Sequence, residues 1–224
     1  MVPFSFASQE FRLGASRALY WAEENALLVA DLHLEKASFF ARHGQMLPPY
    51  DSRATLERLA EALRETGATR VFCLGDSFHD RAAVARMEPP AAGMLDALTR
   101  ATDWVWITGN HDEDAAAPGG TLVDELDICG LKLRHIARAG SNAREVSVHF
   151  HPKLRVNVRG RSITRPCAVI SENRLILPAF GALTGGMDAG DPAILAALQP
   201  ACAIDAIVPA GSQMARFALW RAAA

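Results

Sequence analysis

The sequence predicts an α/β protein in which two β-sheets pack face to face with helices on the outside, and three observations lead there. Short apolar runs alternate with amphipathic helical patterns as far as about residue 112, strand follows strand after Gly120, and polar residues suited to chemistry stand where the apolar runs stop. The 224 residues, half of them hydrophobic and 21% charged, suffice for one domain with a substantial core, expected to span 1–224. With 23 Lys+Arg against 25 Asp+Glu, the chain is neither intrinsically disordered nor a uniformly basic nucleic-acid coat.

Residues 26–30 (ALLVA), 70–74 (RVFCL) and 104–108 (WVWIT) have the length and composition of buried strands. Between the first two, Asp51 or Ser52 is placed to cap a helix over 53–66, with Leu56, Leu59, Ala60 and Leu63 on one face and Gly67 at its end. A second helix is expected over 90–100, and this order implies a mainly parallel sheet covered by helices. Beyond Gly120, the segments 121–126, 131–136, 145–149, 154–158, 167–171 and 174–177 read as strands of a second, largely antiparallel sheet. Residues 179–190 (AFGALTGGMDAG) read as loop, 191–198 as a short helix and 215–220 as the last strand. Trp104 and Trp106 are expected to pack in the core. No stretch approaches the ~18 apolar residues of a membrane span, and the N-terminus lacks a charged, then hydrophobic, export pattern. The four cysteines form no CxxC pair and three lie in apolar runs, which suits core thiols in a reducing cytoplasm.

Five short constellations follow the strand-like runs: Asp31-Leu32-His33, Gly75-Asp76, Gly109-Asn110-His111-Asp112, His135, and His149-Phe150-His151. In open α/β sheets the loops beyond the carboxyl ends of strands converge on one crevice, so these groups can meet across 120 residues of sequence. Asp and Asn offer hard oxygen and neutral imidazole offers nitrogen. A mixed set without thiolate suits Mn²⁺, Fe, Zn²⁺ or Ni²⁺ better than Mg²⁺ or Ca²⁺. Asp31, His33, Asp76, Asn110, His135, His149 and His151 are too many ligands for one four- or five-coordinate ion, so two divalent ions are expected, Mn²⁺ first among them, with Asp76 as the natural bridge. Two cations ~3.5–4 Å apart can clamp a phosphate, lower the pKa of a shared water to give hydroxide near neutral pH, and offset charge growing on phosphorus. That is hydrolysis of a phosphoester. No GxxxxGK[ST] loop, GxGxxG turn or GxSxG elbow supports a nucleotide-driven, NAD-linked or serine-hydrolase reaction.

The order DxH, GD, GNHD, H, HxH resembles the calcineurin-like metallophosphoesterase superfamily. More narrowly, LVADLHLEKASFFARHGQMLPPYD, CLGDSFHDR, ITGNHDE, LRH, HPKLRVNVRGRSITRPC and LPAFGALTGG are similar to the bacterial ligase-associated DNA damage response endonucleases over roughly residues 17–190. The resemblance implies a four-layer αββα sandwich of two mixed β-sheets, the metallo-dependent phosphatase fold, and a nuclease acting on DNA in association with DNA ligase and helicase. It assigns Asp31, His33 and His151 to a first ion, Asn110, His135 and His149 to a second, with Asp76 bridging, and gives His111 the role of protonating the leaving oxygen. The superfamily often places an Asp three residues after the bridging one to orient that His. This chain has His79 there, followed by Asp80, so both enter the catalytic set as candidate partners of His111 or of phosphate. Val148 stands where most relatives have Gly, which puts the placement of His149 in question.

Charge adds a candidate substrate surface. Residues 130–174 carry ten basic side chains against Glu145 and Glu172, and 20 of the 23 basic residues in the chain are Arg, whose fork suits phosphate, although an Ala- and Arg-rich composition has a genomic explanation as well. Lys153, Arg155, Arg159 and Arg161 are expected on one face of a hairpin turning near Gly160, with Arg165 beyond it, and Arg42 and His43 in the loop after DLH are further candidates. Two rivals to a nuclease are a phosphatase or phosphodiesterase of small nucleotides and a metal-poor scaffold that only binds protein. The complete ligand set argues against the scaffold.

Overall fold

The computed structural model of the chain describes residues 1–111, 118–158 and 160–223. Fourteen strands form two seven-stranded sheets. The first runs in chain order: β1 (Val2–Phe6), β2 (Gln9–Leu13), β3 (Leu19–Trp21), β4 (Ala26–Val29), β5 (Arg70–Leu74), β6 (Asp103–Ile107) and β7 (Thr121–Val123). Strands β1 to β4 are an antiparallel meander, whereas β4, β5, β6 and β7 are mutually parallel, as expected where helices α1 (Lys36–Arg42), α2 (Asp51–Thr66), α3 (Ala83–Arg86) and α4 (Pro89–Ala101) return the chain. Because β4 to β6 are covered on both faces, their sequences are apolar apart from Arg70 and Asp103 at the first positions of β5 and β6. Leu28, Phe72 and Val105 point into the space between the sheets, while Leu27, Val29, Val71, Cys73, Trp104 and Trp106 pack under Leu56 and Leu59 of α2 and Leu95 of α4.

The second sheet contains β8 (Leu126–Ile128), β9 (Leu131–Leu133), β10 (Glu145–Ser147), β13 (Ala168–Ile170), β14 (Arg174–Ile176), β15 (Ala203–Ala210) and β16 (Gln213–Arg221); the remaining strands, β11 (Lys153–Val158) and β12 (Arg161–Pro166), pair only with each other. Leu133, Val146, Val148 and Leu175 meet the first sheet across the main core. On the outer face, Val169, Ile176, Ile204 and Ala206 are covered by Leu154 and by Ile194 and Leu198 around the six-residue α5 (Pro192–Ala197). The fourth layer is therefore thin.

The second sheet is largely antiparallel, as expected, and is mixed because β10 is parallel to both β9 and β14. Two expectations are corrected here. The run 121–126 is not one strand: the chain passes from β7 of the first sheet to β8 of the second, crossing the sandwich. Asp51 and Ser52 do not cap α2, whose N-cap is Tyr50; they lie inside its first turn and reach back to α1, where Asp51 Oδ2 accepts from the Ala37 N–H at 3.1 Å and Ser52 Oγ accepts from the Glu35 N–H at 2.7 Å. The cysteines divide, Cys73 and Cys167 buried and Cys129 and Cys202 exposed. Among the described residues no helix is long and apolar enough to cross a membrane.

Candidate metal centre

Beyond the last residues of β4 and β5 the two chains continue side by side. The Asp31 N–H donates to Gly75 O at 3.2 Å, His33 N–H to Asp76 O at 2.9 Å and Leu34 N–H to Ser77 O at 2.9 Å. This pairing sets Asp31 and His33 next to Asp76. From β6, the His111 N–H donates to Asp76 Oδ1 at 2.9 Å. From the second sheet, the Val148 N–H donates to His135 O at 2.9 Å and the His149 N–H to Asp31 Oδ2 at 3.4 Å, joining the ends of β9 and β10 to the same place. The crevice beyond the strand ends is thus real and draws on both sheets.

The backbone there is unusual. Asp31, His33, Asp76, His149 and His151 all adopt left-handed φ, from 45° to 78°, a conformation side chains with a Cβ disfavour. Such residues cost of order 1–3 kcal/mol each and persist where their surroundings over-determine them, as at functional sites. The left-handed turn falls on His149 itself, and Val148 is fully buried in the main core. A β-branched residue at 148 is accommodated. Two glycines make room: a Cβ on Gly75 would lie 2.6 Å from Cγ of His135, and one on Gly109 would overlap the backbone N and Oδ1 of Asp76.

Donor atoms then converge in three overlapping groups, Asp31/His33/His151, His33/Asp76/His111 and Asp76/His135/His149, each within 4.8 Å. Asp31 is fully buried, and the cationic groups near its carboxylate are imidazoles, His135 Nδ1 at 3.8 Å and His151 Nε2 at 3.4 Å. Asp31 Oδ1, His33 Nδ1 and His151 Nε2 are buried without a hydrogen-bond partner. Around His135 the conflict is sharper. Its Nδ1 lies 3.2 Å from Leu74 O, which requires a proton on that nitrogen and leaves Nε2 bare; yet Nε2 faces Asn110 Oδ1 at 3.0 Å, His149 Nδ1 at 3.1 Å and Asp76 Oδ2 at 3.4 Å. Lone pairs gathered in this way favour a bound cation, and hard oxygen with imidazole nitrogen is a donor set for a divalent transition metal. The residues present fit such ions.

Electrostatics agree. Burial pushes His33 down to about 3, with Asp76 opposing and His151 adding to the fall. Burial would raise Asp76, but His135, the His111 N–H and His33 outweigh it and hold the carboxyl at about 2. Burial lowers His135 while Asp76 and Asp31 more than compensate, so its pKa is raised; burial and His135 lower that of His149.

The candidate catalytic residues separate. His111 is exposed at the mouth, with His79 stacked on it at 5.5 Å and 18° and His33 edge-on at 5.2 Å. His79, pressed between Phe39, Phe40 and His111, is lowered by burial, Lys36 and His111 to about 4. Asp80 does not orient His111: it is held by both Nη atoms of Arg86, at 2.8 and 2.6 Å, and by the Ala82 N–H. Sequence reasoning assigned no role to Lys36, half-buried and close enough to depress His33 and His79, or to Arg17, brought in by its own left-handed turn. Arg42 ends α1, exposed, while His43 Nδ1 bonds Phe39 O at 2.8 Å. The hairpin's register corrects the one-face expectation. Arg161 pairs with Val158 and Arg165 with Leu154, so both share a face with Leu154 and Val156, opposite Lys153 and Arg155; Arg159 and Asp112 lie outside the described residues.

A family model described as calcineurin-like phosphoesterase matches residues 25–207, a span containing every one of these donors. The chain belongs to this family. Calcineurin-like phosphoesterases bind divalent metals, and this chain is a metal-dependent phosphoester hydrolase. Among solved structures, it is similar to the nuclease MPE of Pseudomonas putida, with 32% identity over 92% of this chain and 95% of that one and a TM-score of 0.70. It also matches Yfce, a phosphoesterase from E. coli, at 15% identity, 87% and 98% coverage and a TM-score of 0.40. A protein of unknown function, AQ665 of Aquifex aeolicus, matches at 15% identity over 56% of this chain and 77% of that one, again with a TM-score of 0.40. No curated protein matches.

Proposed function

We propose that this calcineurin-like phosphoesterase is a dinuclear phosphodiesterase that cleaves DNA during damage repair, with Mn²⁺ as its working metal. The reading is carried by Nε2 of His135, bare in the neutral ring and facing three further donors, beside a fully buried Asp31 that has no Lys or Arg partner among the described residues. Asp31, His33 and His151 would hold one ion, Asn110, His135 and His149 the other, and Asp76 would bridge them. When bound, the pair would polarise the phosphate and supply hydroxide from water at neutral pH. The chain's own groups do the rest. His111 faces the solvent side and donates a proton to the leaving oxygen, and His79, neutral at pH 7, keeps the ring stacked in place and offers an uncharged hydrogen bond to a phosphate oxygen. The Pseudomonas putida protein's being a nuclease, at 32% identity, supports a polynucleotide substrate. A cytoplasmic setting alongside a DNA ligase and a helicase completes the reading, and the unpaired, exposed Cys129 and Cys202 suit a reducing compartment.

The test is Mn²⁺-dependent hydrolysis of bis(p-nitrophenyl) phosphate. Asp76→Asn should abolish it with loss of bound metal in elemental analysis, and His111→Ala should lower kcat by about 10²–10⁴ while metal is retained. Turnover of the monoester alone, with the diester untouched, would overturn the phosphodiesterase reading.

A further inference from the structure

Beside His151 the surface opens into a cavity of about 290 Å³ that the ligand set does not account for, walled by Arg17, Lys153, Thr164, Pro166 and Thr184 as well as by His151. Its two cations are held open. Arg17 Nη1 donates to the carbonyls of Ala179 and Gly181 at 3.0 and 3.4 Å, and Lys153 Nζ reaches only Thr184 O at 3.5 Å; among the described residues neither has a carboxylate within 4 Å. Burial, with Arg58 adding to it, pushes Arg17 down to about 10, so the guanidinium remains charged at neutral pH and lacks a counterion. The cavity is built around these groups: a Cβ on Gly186 would lie 2.7 Å from Cε of Lys153. A second cavity of about 380 Å³ shares Arg17 and Pro166 with the first and adds Arg165 to its wall.

Building on the phosphodiesterase reading above, we propose that this cavity is a subsite for the phosphate next to the scissile one, so that the enzyme holds a single nucleic-acid strand by Lys153 and Arg17 on the His151 side of the metals. Carbonyl-anchored cations beside a metal ligand, unpaired and with two threonine side chains in the same wall, form a site for a phosphodiester oxygen rather than for a neutral group. The polymer is thereby distinguished from a small ester, which fills the metal centre and has nothing to place in the cavity. Arg165, one cavity further along, lies where the next part of the strand would run. Arg161 is assigned no part in it.

The experiment compares Lys153→Gln, Arg17→Gln and wild type, with Arg100→Gln on α4 as the control for one lost surface charge. Fluorescence anisotropy of a labelled single-stranded oligonucleotide, in chelator and across a salt series, reads binding without turnover. Kinetics with Mn²⁺ on the oligonucleotide and on bis(p-nitrophenyl) phosphate read catalysis. Lys153→Gln, a part-buried position on β11 whose folding is checked by its thermal unfolding, is expected to weaken oligonucleotide binding about tenfold and raise KM to match. The log–log salt slope should fall by about 0.7, one phosphate contact on a single strand. Turnover of the small diester should stay within twofold and Arg100→Gln should change nothing. Arg17→Gln should repeat the pattern if it folds, and Lys153→Gln decides alone if it does not. Unchanged affinity and slope, an equal effect of Arg100→Gln, or a parallel loss on the small diester would overturn the subsite. Wild-type protein that hydrolyses neither substrate would overturn the underlying reading of the metal centre instead, a result distinct from each of these.

Discussion

At the scale of single residues, the metal centre combines left-handed backbone with buried charge, and each has a measurable consequence. Since L side chains pay a steric cost at positive φ that glycine escapes, His151→Gly should give apo-protein about 1 kcal/mol more stable than His151→Ala in urea unfolding, though both lose the same imidazole. The pH profile of the apo-protein follows from His33 at about 3 and His79 at about 4. Each has a folded value below the ordinary 6.5, so the unfolded chain binds more protons between the two values and stability must fall as pH drops from about 6.5 toward 4. Thermal unfolding over pH 4–7 checks this, and His79→Gln should flatten part of the slope. Arg174 and Glu145, both fully buried, pair at 3.1 Å, and Arg174 also donates to the carbonyls of Gln199 and Arg138 at 2.7 and 3.1 Å and to Ser141 O. Arg174→Met should cost about 3–5 kcal/mol by removing the buried partner of Glu145, which keeps only the Arg138 N–H at 3.1 Å and Arg134 Nη1 at 3.6 Å, and should loosen the start of β10, the strand that leads to His149.

At the scale of elements, the latch between α1 and α2 shapes the cleft. Glu35 accepts from Ser52 and Ser38, each at 2.7 Å, while the Glu35 N–H donates back to Ser52 Oγ. Ser52→Ala strands two buried partners and should destabilise by about 1–3 kcal/mol, measured by denaturant titration. Buried apolar runs such as β4 and the last four residues of β5 were legible in the sequence, as was α2 with its apolar face, because burial leaves a mark in the pattern of residue types. Strands β1 to β3 were not: Val2, Phe4 and Phe6 do alternate inward, but Pro3 argues against a strand anywhere except at an edge, which is where β1 lies. The hairpin register, and with it the face occupied by Arg161, depends on the turn rather than on charge spacing. The metal donors were legible through residue type at strand ends. The Arg86 clamp on Asp80 and the roles of Arg17 and Lys36 were not, since each depends on contacts between segments far apart or on a turn that leaves no pattern.

At the scale of the whole molecule, the centre lies across the seam of the sandwich, taking donors from the first sheet at Asp31, His33, Asp76 and Asn110 and from the second at His135, His149 and His151. Ions bound there tie the two sheets together and belong only to the folded state. At a hundredfold excess over the dissociation constant, one such ion adds about 2.7 kcal/mol, so chelation should lower Tm by roughly 5–10 °C in differential scanning calorimetry. An Asp76→Asn protein should show no such shift.

The same division bears on biosynthesis. His151 follows Asp31 by 120 positions, and the second sheet is completed only by β15 and β16 near the carboxyl end. A nascent chain that has not yet added β9, β10 and the residues after them therefore holds four of the seven donors with nothing opposite them, and has no complete metal centre.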